Sequence, residues 1–386
     1  MSPHLIRIDA LRGIAILLVL QLHILACTGA YEYLHVPSTA RQLLDAGSAG
    51  VDLFFILSAY LLTTNLLRQQ DTPGVIPTFF MRRAFRILPM FLLLIFGGFT
   101  LEALWLKAGG SSDTWLWRGR YPLSTYLLFL QNWRFGLDAG FPGKFFAPTW
   151  SLAVEEHFYL LLPLLATRLT PRRFAFVAIA WILIATPIRA YLSLDFGKFA
   201  PATWTIARLD AFGWGVLIAL APTLWPDLAK RLKPRVAVGA GAYLFIVVVL
   251  FAPYLTPGGS DDNVLSTAMI DLVLALTTFG VVNYETEPLQ SRAGTHALAW
   301  CGKRCYSLYL LHMPLLGLVF LGAGPNQPPT VDGFGSLGLV ALTIGLTLSL
   351  ADICYRRIET PFMDLAGRLT QRRRGLGGVA PLTAAE

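Results

Sequence analysis

The first long apolar stretch of the sequence carries three side chains that can ionise. It reads RIDALRGIAILLVLQLHI over residues 7–24 and includes Asp9, Arg12 and His23. On a regular α-helix, Arg12 and His23 lie within about 20° of each other and about 16 Å apart along the axis, and Asp9 lies within about 60° of Arg12. Ionisable groups inside a bilayer are costly, so they are functional candidates. A neutral His23 is suited to general-base catalysis, and the alternative is a plain hydrogen bond to a neighbouring helix.

Three further apolar segments begin with polar side chains that share a helical face or a helix start. They are, segment by segment, Ser151, Glu155 and Tyr159; Cys305, Tyr309 and His312; and Arg208 and Asp210. Taken singly, each group could form a purely structural network in which its polar atoms have hydrogen-bond partners. Because several helices offer acids, hydroxyls and a histidine, we predict a polar chamber inside a helix bundle.

Two arginines, Arg83 and Arg86, lie about one helical turn apart in RRAFRILP, directly before a long apolar stretch. Guanidinium groups bind phosphate oxygens through two parallel hydrogen bonds. A topology anchor on the cytoplasmic side also explains the charge of this segment. The anchor does not require this spacing, so the pair is a candidate phosphate site.

The composition indicates the elements that must position these residues. The 386 residues are 55% hydrophobic and only 14% charged, and their mean hydropathy is +0.58. An ordinary soluble domain is far less apolar. Runs of about 17 to 25 apolar residues recur along the chain, as membrane-spanning helices require. The sequence therefore predicts an all-α, polytopic integral-membrane helix bundle.

The apolar runs predict ten membrane spans. They cover residues 11–29, 47–67, 88–106, 150–167, 174–192, 206–222, 236–254, 264–282, 303–322 and 335–355. The stretch 122–135 is apolar as well, but it is short and interrupted by polar residues. Counting it as a span would put the later basic clusters outside, against the positive-inside rule. We therefore expect a re-entrant or interfacial segment there.

The basic residues orient the bundle. With ten spans and a cytoplasmic N-terminus, most of the 31 lysines and arginines lie in cytoplasmic segments. The net charge of +8 then faces the anionic inner leaflet. Both termini are expected in the cytoplasm, and no nucleic-acid partner is needed to explain the charge.

The ends of the chain and its cysteines raise three further expectations. The ILAC sequence before Cys27 weakly resembles a lipoprotein processing site, but Asp9 is unusual in a basic leader, so we expect the first span to be retained. The four cysteines show no metal-type spacing and are expected to be packing residues, with no metal bound. We expect a membrane domain over residues 1–362 and a disordered, basic cytoplasmic tail over 363–386.

The sequence resembles the acyltransferase 3 family of integral-membrane acyltransferases. The matching segments, in order, are RIDALRGIAILLVLQLH, with Arg12 and His23 in the family's arginine–ten residues–histidine pattern; GVDLFFILSAYLL; RRAFRILP; TWSLAVEEHFYLLLP; RLDAFGWG; SLYLLHMPL; and IETP. The resemblance covers residues 5 to 362. Where the family usually has Ser-Gly-Phe, this chain has Ser58, Ala59 and Tyr60, so it departs from the pattern at Ala59 and Tyr60.

The resemblance implies a reaction and its partners. Family members move acyl groups, commonly acetyl from acetyl-CoA, to hydroxyls of surface carbohydrates or other glycosylated acceptors. The expected partners are thus an acyl-CoA co-substrate, a carbohydrate or glycolipid acceptor and membrane lipid, with no bound cofactor. The expected location is a bacterial-type cytoplasmic (inner) membrane.

The residues suit that chemistry, and the resemblance assigns them roles. Arg12, Arg83 and Arg86 are expected to bind the phosphates of the donor, and His23 and Glu155 are the expected catalytic residues. The expected supporting residues are Asp9, Asp52, Ser58, Tyr159, Asp210, Tyr309 and His312. Direct transfer and an acyl-enzyme route both remain open.

Two other classes of protein fit parts of the pattern. Ten spans with buried acids and histidines also occur in proton-coupled transporters of small polar solutes. Such a carrier is expected to show repeated halves with broken helices, and none is evident. A non-catalytic membrane sensor or assembly partner is the third possibility, and an acyl-transfer assay separates the enzyme from both.

Overall fold

A computed structural model of the chain describes residues 3–138, 140–141, 143–197, 199–227, 234–251, 264–283, 293–322, 324 and 328–373. Every regular element among these residues is helical. In chain order, the α-helices are α1 Pro3–Gln21, α2 Ala30–Tyr33, α3 Ser38–Asp45, α4 Ala49–Arg68, α5 Val75–Lys107, α6 Leu123–Leu127, α7 Gln131–Leu137, α8 Thr149–Arg168, α9 Pro171–Asp195, α10 Phe199–Thr203, α11 Leu209–Leu224, α12 Pro234–Phe251, α13 Val264–Val282, α14 Ala293–Lys303, α15 Cys305–Phe320, α16 Phe334–Cys354 and α17 Thr360–Arg373.

Four short non-α segments connect or extend these helices. Two are 3₁₀ turns, Ala46–Ser48 before α4 and Thr205–Arg208 before α11. The other two are π-helical turns, Leu22–Ala26 after α1 and Tyr355–Glu359 between α16 and α17. Single π-turns often occur at functional sites. His23 lies in the first of these turns and Glu359 in the second.

Seven of the described segments are long and apolar enough to cross a membrane, which confirms the all-helical, multi-pass prediction. They are Ile6–Ala26, Ser38–Arg68, Val75–Lys107, Pro171–Asp195, Thr205–Leu224, Leu265–Val282 and Phe334–Gln371. Two shorter apolar helices cover Arg235–Phe251 and Cys305–Phe320. Each of the ten predicted spans overlaps a helix within the described residues, but the count of ten stays a prediction.

The outer surface of the bundle is apolar in the way that contact with lipid requires. In the segment Pro171–Asp195, only 28% of the most apolar window is buried inside the protein. Leu183 is 67% exposed and Leu194 is 85% exposed. A water-facing helix with such a surface would be an aggregation site, whereas hydrocarbon solvates it.

Two predicted segments have specific outcomes. The stretch 122–135 forms α6 and the first part of α7, and each helix is too short to span a bilayer, as expected for a non-spanning segment. The prediction that disorder begins at residue 363 is wrong, because α17 continues to Arg373 and packs against α5. Residues 374–386 of the predicted tail lie outside the described residues.

Close helix contacts hold the site-bearing helices together. A Cβ atom added to Gly302 of α14 would lie 1.7 Å from the backbone oxygen of Asp9 in α1. A Cβ atom added to Gly215 of α11 would lie 2.6 Å from the Cβ atom of Ala59 in α4. Small residues allow such backbone approach in membranes. Ala59 therefore keeps the close contact because α11 supplies the glycine.

Candidate active site

A cavity opens between α1, α4, α5, α8 and α15. Its empty volume is about 730 Å³, including the part open to solvent. The lining residues are Arg12, Val51, Phe54, Phe55, Ser58, Arg83, Arg86, Ile87, Ser151, Leu152, Glu155, Tyr159, Cys305, Tyr306 and Tyr309. The structure thus brings together all three predicted donor-binding arginines and four of the other predicted site residues.

The three arginines approach the cavity from two helices. Arg12 on α1 pairs with Asp9, with 3.6 Å between Nη1 and Oδ1. The guanidinium of Arg83 lies 5.9 Å from the ring centre of Tyr159, and Arg86 Nη1 contacts the Met363 sulfur at 3.5 Å. Among the described residues, neither Arg83 nor Arg86 forms a salt bridge. Their positive charge is therefore available to an anion in the cavity.

A hydroxyl–carboxylate chain crosses the cavity wall from α8 to α4. Tyr159 donates its phenol hydrogen to Glu155 Oε2 over 2.6 Å. The Ser58 hydroxyl lies 3.2 Å from the same phenol oxygen. Ser58, Glu155 and Tyr159 therefore form one hydrogen-bonded unit.

The cavity ends at a second hydroxyl pair next to two histidines. The Ser151 hydroxyl on α8 lies 2.7 Å from the phenol oxygen of Tyr309 on α15. The ring centre of Tyr309 is 5.7 Å from that of His312, and His312 Nε2 is 3.0 Å from His23 Nδ1. His23 is not among the cavity's lining residues, and Tyr309 is the lining residue that contacts the histidine pair.

The hydrogen bonds fix the protonation pattern of the histidine pair when both rings are neutral. His312 Nδ1 lies 2.6 Å from the carbonyl oxygen of Tyr309, which can only accept, so this nitrogen carries the hydrogen. His312 Nε2 is then an acceptor, and His23 Nδ1 must donate to it. The remaining nitrogen, His23 Nε2, is left with a free lone pair. His23 is half-buried whereas His312 is fully buried, so His23 is the ring that can meet a substrate.

The π-helical turn sets the direction of His23. The expected angle of about 20° from Arg12 assumes a regular helix as far as residue 23, but Leu22–Ala26 is π-helical. The wider turn re-aims the side chains that follow α1. The sequence spacing identified His23 as a candidate residue. Its position opposite His312, in contrast, depends on the tertiary structure.

Asp52 and Asp210 lie in a neighbouring charge cluster and not on the cavity. Asp52 forms a buried ion pair with Arg208, and Asp210 Oδ2 accepts from Arg189 Nη2 at 2.5 Å. These pairs join α4, α9 and α11 to one another. Asp271 on α13 is buried near both pairs. The two predicted supporting residues thus tie α4, which lines the cavity, to the neighbouring α9 and α11 region.

Three residues near the site escaped the sequence-based search. Glu359, in the recognised IETP segment, is 1% exposed and accepts a hydrogen bond from Ser307 on α15. Tyr306 lines the cavity and donates to the carbonyl of Ile87 at 2.9 Å. Lys144, in an irregular loop, interacts electrostatically with His23, and burial lowers the pKa of its ammonium group. The IETP segment could have indicated Glu359, whereas no spacing rule points to Lys144.

The sulfur and metal chemistry of the described residues is simple. All four cysteines are free thiols, and only Cys305 lines the cavity. Within the described ranges, no cluster of three or more histidine, cysteine or acidic side chains could hold a metal ion. The cavity therefore offers arginines, hydroxyls, a carboxylate and a thiol as its reactive groups.

Comparison with known proteins gives a family and several relatives. A family described as an acyltransferase domain matches residues 5–356. A Staphylococcus aureus (strain COL) protein with the provisional name O-acetyltransferase is 28% identical over 377 residues, covering 92% of this chain and 56% of the relative. The O-acetyltransferase OatA of Staphylococcus aureus (strain NCTC 8325 / PS 47) is 26% identical over 337 residues, covering 83% and 53%. The chain thus spans about half the length of these relatives. No solved structure is significantly similar to it.

Proposed function

This chain belongs to the acyltransferase 3 family of acyltransferases, and from that premise we propose that it moves an acetyl group from cytoplasmic acetyl-CoA to a hydroxyl of a carbohydrate or glycolipid acceptor. The single observation that carries the proposal is the cavity with three arginines that ends beside the histidine pair. Family membership also favours an enzyme over the transporter and sensor alternatives.

The arginines supply the donor site. CoA carries a diphosphate and a further phosphate, and charge-assisted hydrogen bonds from guanidinium groups are among the strongest that a protein can offer to phosphate. Arg83 and Arg86 have no salt-bridge partner among the described residues. Bound there, the donor would extend its thioester along the cavity toward Ser151 and Tyr309. In this orientation the acyl carbon approaches the histidine pair.

His23 is the proposed general base. Its free Nε2 lone pair removes the acceptor's hydroxyl proton as the oxygen forms a bond to the acyl carbon. The carbon–sulfur bond breaks, and the leaving thiolate takes the proton from the His23 imidazolium to give the CoA thiol, which returns His23 to its neutral form. His312 holds His23 in the required tautomer and spreads the positive charge that forms on it, in the way that a hydrogen-bonded partner orients a catalytic imidazole.

Glu155 is proposed to act through the hydroxyls that it orients. Its Oε2 fixes the Tyr159 phenol at 2.6 Å, and Tyr159 in turn lies beside Arg83. Loss of the carboxylate would free the phenol and change the charge next to the donor phosphates. Glu155 is therefore a positioning residue for the donor and not a second base.

The basic residues and the relatives support a location for the reaction. We propose that both termini and the donor arginines face the cytoplasm of a bacterial cell, and that the protein lies in its inner membrane. The acceptor then meets His23 from the opposite half of the bilayer. Transfer across the bundle would modify a glycan on its way to the cell surface.

Two measurements test the proposed function. Surface glycans from a strain that lacks the protein should lose the mass of acetyl groups relative to the parent, as seen by mass spectrometry. Purified protein in lipid nanodiscs should release CoA from acetyl-CoA only when those deacetylated glycans are added. Unchanged glycans together with no acceptor-dependent CoA release would overturn the proposal.

A further inference from the structure

A second cavity lies beside the first, where α4 ends and α5 begins. Its empty volume is about 390 Å³, including the part open to solvent. Arg83 lines both cavities. The two spaces therefore adjoin each other at the Arg83 side chain.

The lining of the second cavity is chemically mixed. Asn65 lies in the last turn of α4 and Gln69 directly follows that helix, whereas Thr78 and Arg82 lie one turn apart on α5. Phe79 adds an aromatic ring to the lining, and apart from the shared Arg83 the other lining residues are the aliphatic Leu62, Leu66 and Val75. Carboxamides, a hydroxyl and a guanidinium are poor neighbours for an acyl chain, because they would lose hydrogen bonds to water without replacement.

The same side chains are those that recognise a phosphorylated nucleoside. Asparagine and glutamine amides can pair with the N6 and N7 edge of adenine. Aromatic and aliphatic surfaces cover the face of a base, and arginine binds a phosphate through its planar fork. Amides, ring and guanidinium occur together in this cavity, and Arg82 gives it a charge of its own beyond the shared Arg83.

We propose that the second cavity binds the adenosine 3′-phosphate end of acyl-CoA, with Arg82 on the 3′-phosphate and Asn65 and Gln69 on the adenine edge. The inference rests on the proposed function and adds the recognition of the nucleotide to it. In CoA, the diphosphate lies between the adenosine and the arm that carries the thioester. The shared Arg83 is therefore the group that meets the diphosphate, and the thioester continues into the first cavity.

Calorimetric titration of the purified full chain in phosphatidylcholine nanodiscs tests the proposal without needing the acceptor. The ligands are CoA and 3′-dephospho-CoA, which differ only in the phosphate assigned to Arg82. Wild-type protein should bind CoA at least about tenfold more tightly, as expected for a hydrogen bond to a charged group. Arg82→Gln should bind CoA only as tightly as 3′-dephospho-CoA and should leave the affinity for 3′-dephospho-CoA unchanged, which also shows that the variant is folded.

Arg68→Gln is the matched control, since Arg68 is an exposed arginine at the same end of α4 but does not line the cavity. It should keep the wild-type preference for CoA. Asn65→Leu should weaken CoA and 3′-dephospho-CoA by equal factors and leave the affinity for 4′-phosphopantetheine, which has no adenosine, unchanged. An unaltered preference in Arg82→Gln, or equal weakening of all three ligands by Asn65→Leu, would refute the nucleotide site.

A phospholipid headgroup is the other source of a phosphate at this end of the bundle. If Arg82 binds an anionic lipid, the Arg82→Gln effect should appear only after phosphatidylglycerol is added to the zwitterionic phosphatidylcholine nanodiscs, and it should be equal for CoA and 3′-dephospho-CoA. That result would overturn the assignment. Failure of the proposed function has a different signature, because the wild-type protein would then bind no form of CoA.

Discussion

At the scale of single residues, the protonation pattern of the histidine pair separates two roles. The carbonyl of Tyr309 accepts from His312 Nδ1, so the free lone pair lies on His23 and not on His312. His23 is thus the proposed base and His312 its positioning partner. The two rings are predicted to respond differently to the same substitution.

His23→Gln should abolish acceptor-dependent acetyl transfer, by about 10²-fold or more, because an amide cannot accept a proton at neutral pH. His312→Gln should keep more activity than His312→Ala, since the amide oxygen can still accept from His23 Nδ1. CoA release with saturating acetyl-CoA measures both effects. His157→Gln is the control, because His157 is not part of the pair. Its Nδ1 atom lies 2.7 Å from the hydroxyl oxygen of Thr205. Turnover by His23→Gln at the level of this control would remove His23 from the chemistry.

Lysine replacements separate a phosphate fork from a topology anchor. Arg83→Lys and Arg86→Lys keep the charge but lose the paired hydrogen bonds, so the acetyl-CoA concentration for half-maximal rate should rise about tenfold. Arg173→Lys, on the exposed start of α9, should leave it unchanged. Equal kinetics for all three variants and the wild type would mean that Arg83 and Arg86 serve only to orient the chain in the membrane.

At the scale of elements, close backbone contacts decide where the site residues stand. Gly302 allows α14 to lie against the α1 turn that carries Asp9 and Arg12. Any side chain on residue 302 would meet backbone atoms, which cannot rotate away. The position of Arg12 relative to α5 thus depends on a glycine with no chemistry of its own.

Gly302→Ala should lower the unfolding free energy by about 1–3 kcal/mol, the usual cost of overpacking. Thermal unfolding in one detergent should show a lower midpoint for this variant. Gly97→Ala on α5 is the control, because a Cβ atom there would meet nothing within 4 Å and alanine favours the helix. A midpoint for Gly302→Ala equal to that of Gly97→Ala would show that α1 and α14 are not in tight contact.

The sequence indicated the helices and most cavity residues, because both follow from hydropathy and local spacing. Arg83 and Arg86, or Glu155 and Tyr159, share a face at fixed offsets. Helical spacing does not predict contacts between residues that are far apart in the chain. His23 and His312 are 289 residues apart, and the glycine that makes room for Ala59 is Gly215 on another helix. The π-turn at His23 escaped prediction for the same reason, since packing and not composition makes it.

At the scale of the whole molecule, the orientation in the membrane decides which substrate meets which end of the cavity. The proposed cytoplasmic termini put the turn between α4 and α5 inside and the loop after α5 outside. In intact cells of a cysteine-free background, an impermeant maleimide should label Ser112→Cys and miss Asp71→Cys, both of which are exposed positions. Labelling of Asp71→Cys alone would invert the proposed topology.

The four free cysteines allow ligand binding in the cavity to be detected in the unmodified protein. Cys305 lies in the wall of the proposed donor cavity, whereas Cys27, Cys301 and Cys354 do not line it. The extent of Cys305 alkylation by a small reagent therefore reports whether the cavity is occupied. The alkylation of the other three thiols reports the accessibility of the rest of the molecule. Peptide mass mapping with and without CoA should show protection confined to Cys305, so ligands can be screened before any acceptor is known. Equal protection of all four thiols would instead show that CoA lowers reagent access throughout the helix bundle and not in the cavity alone.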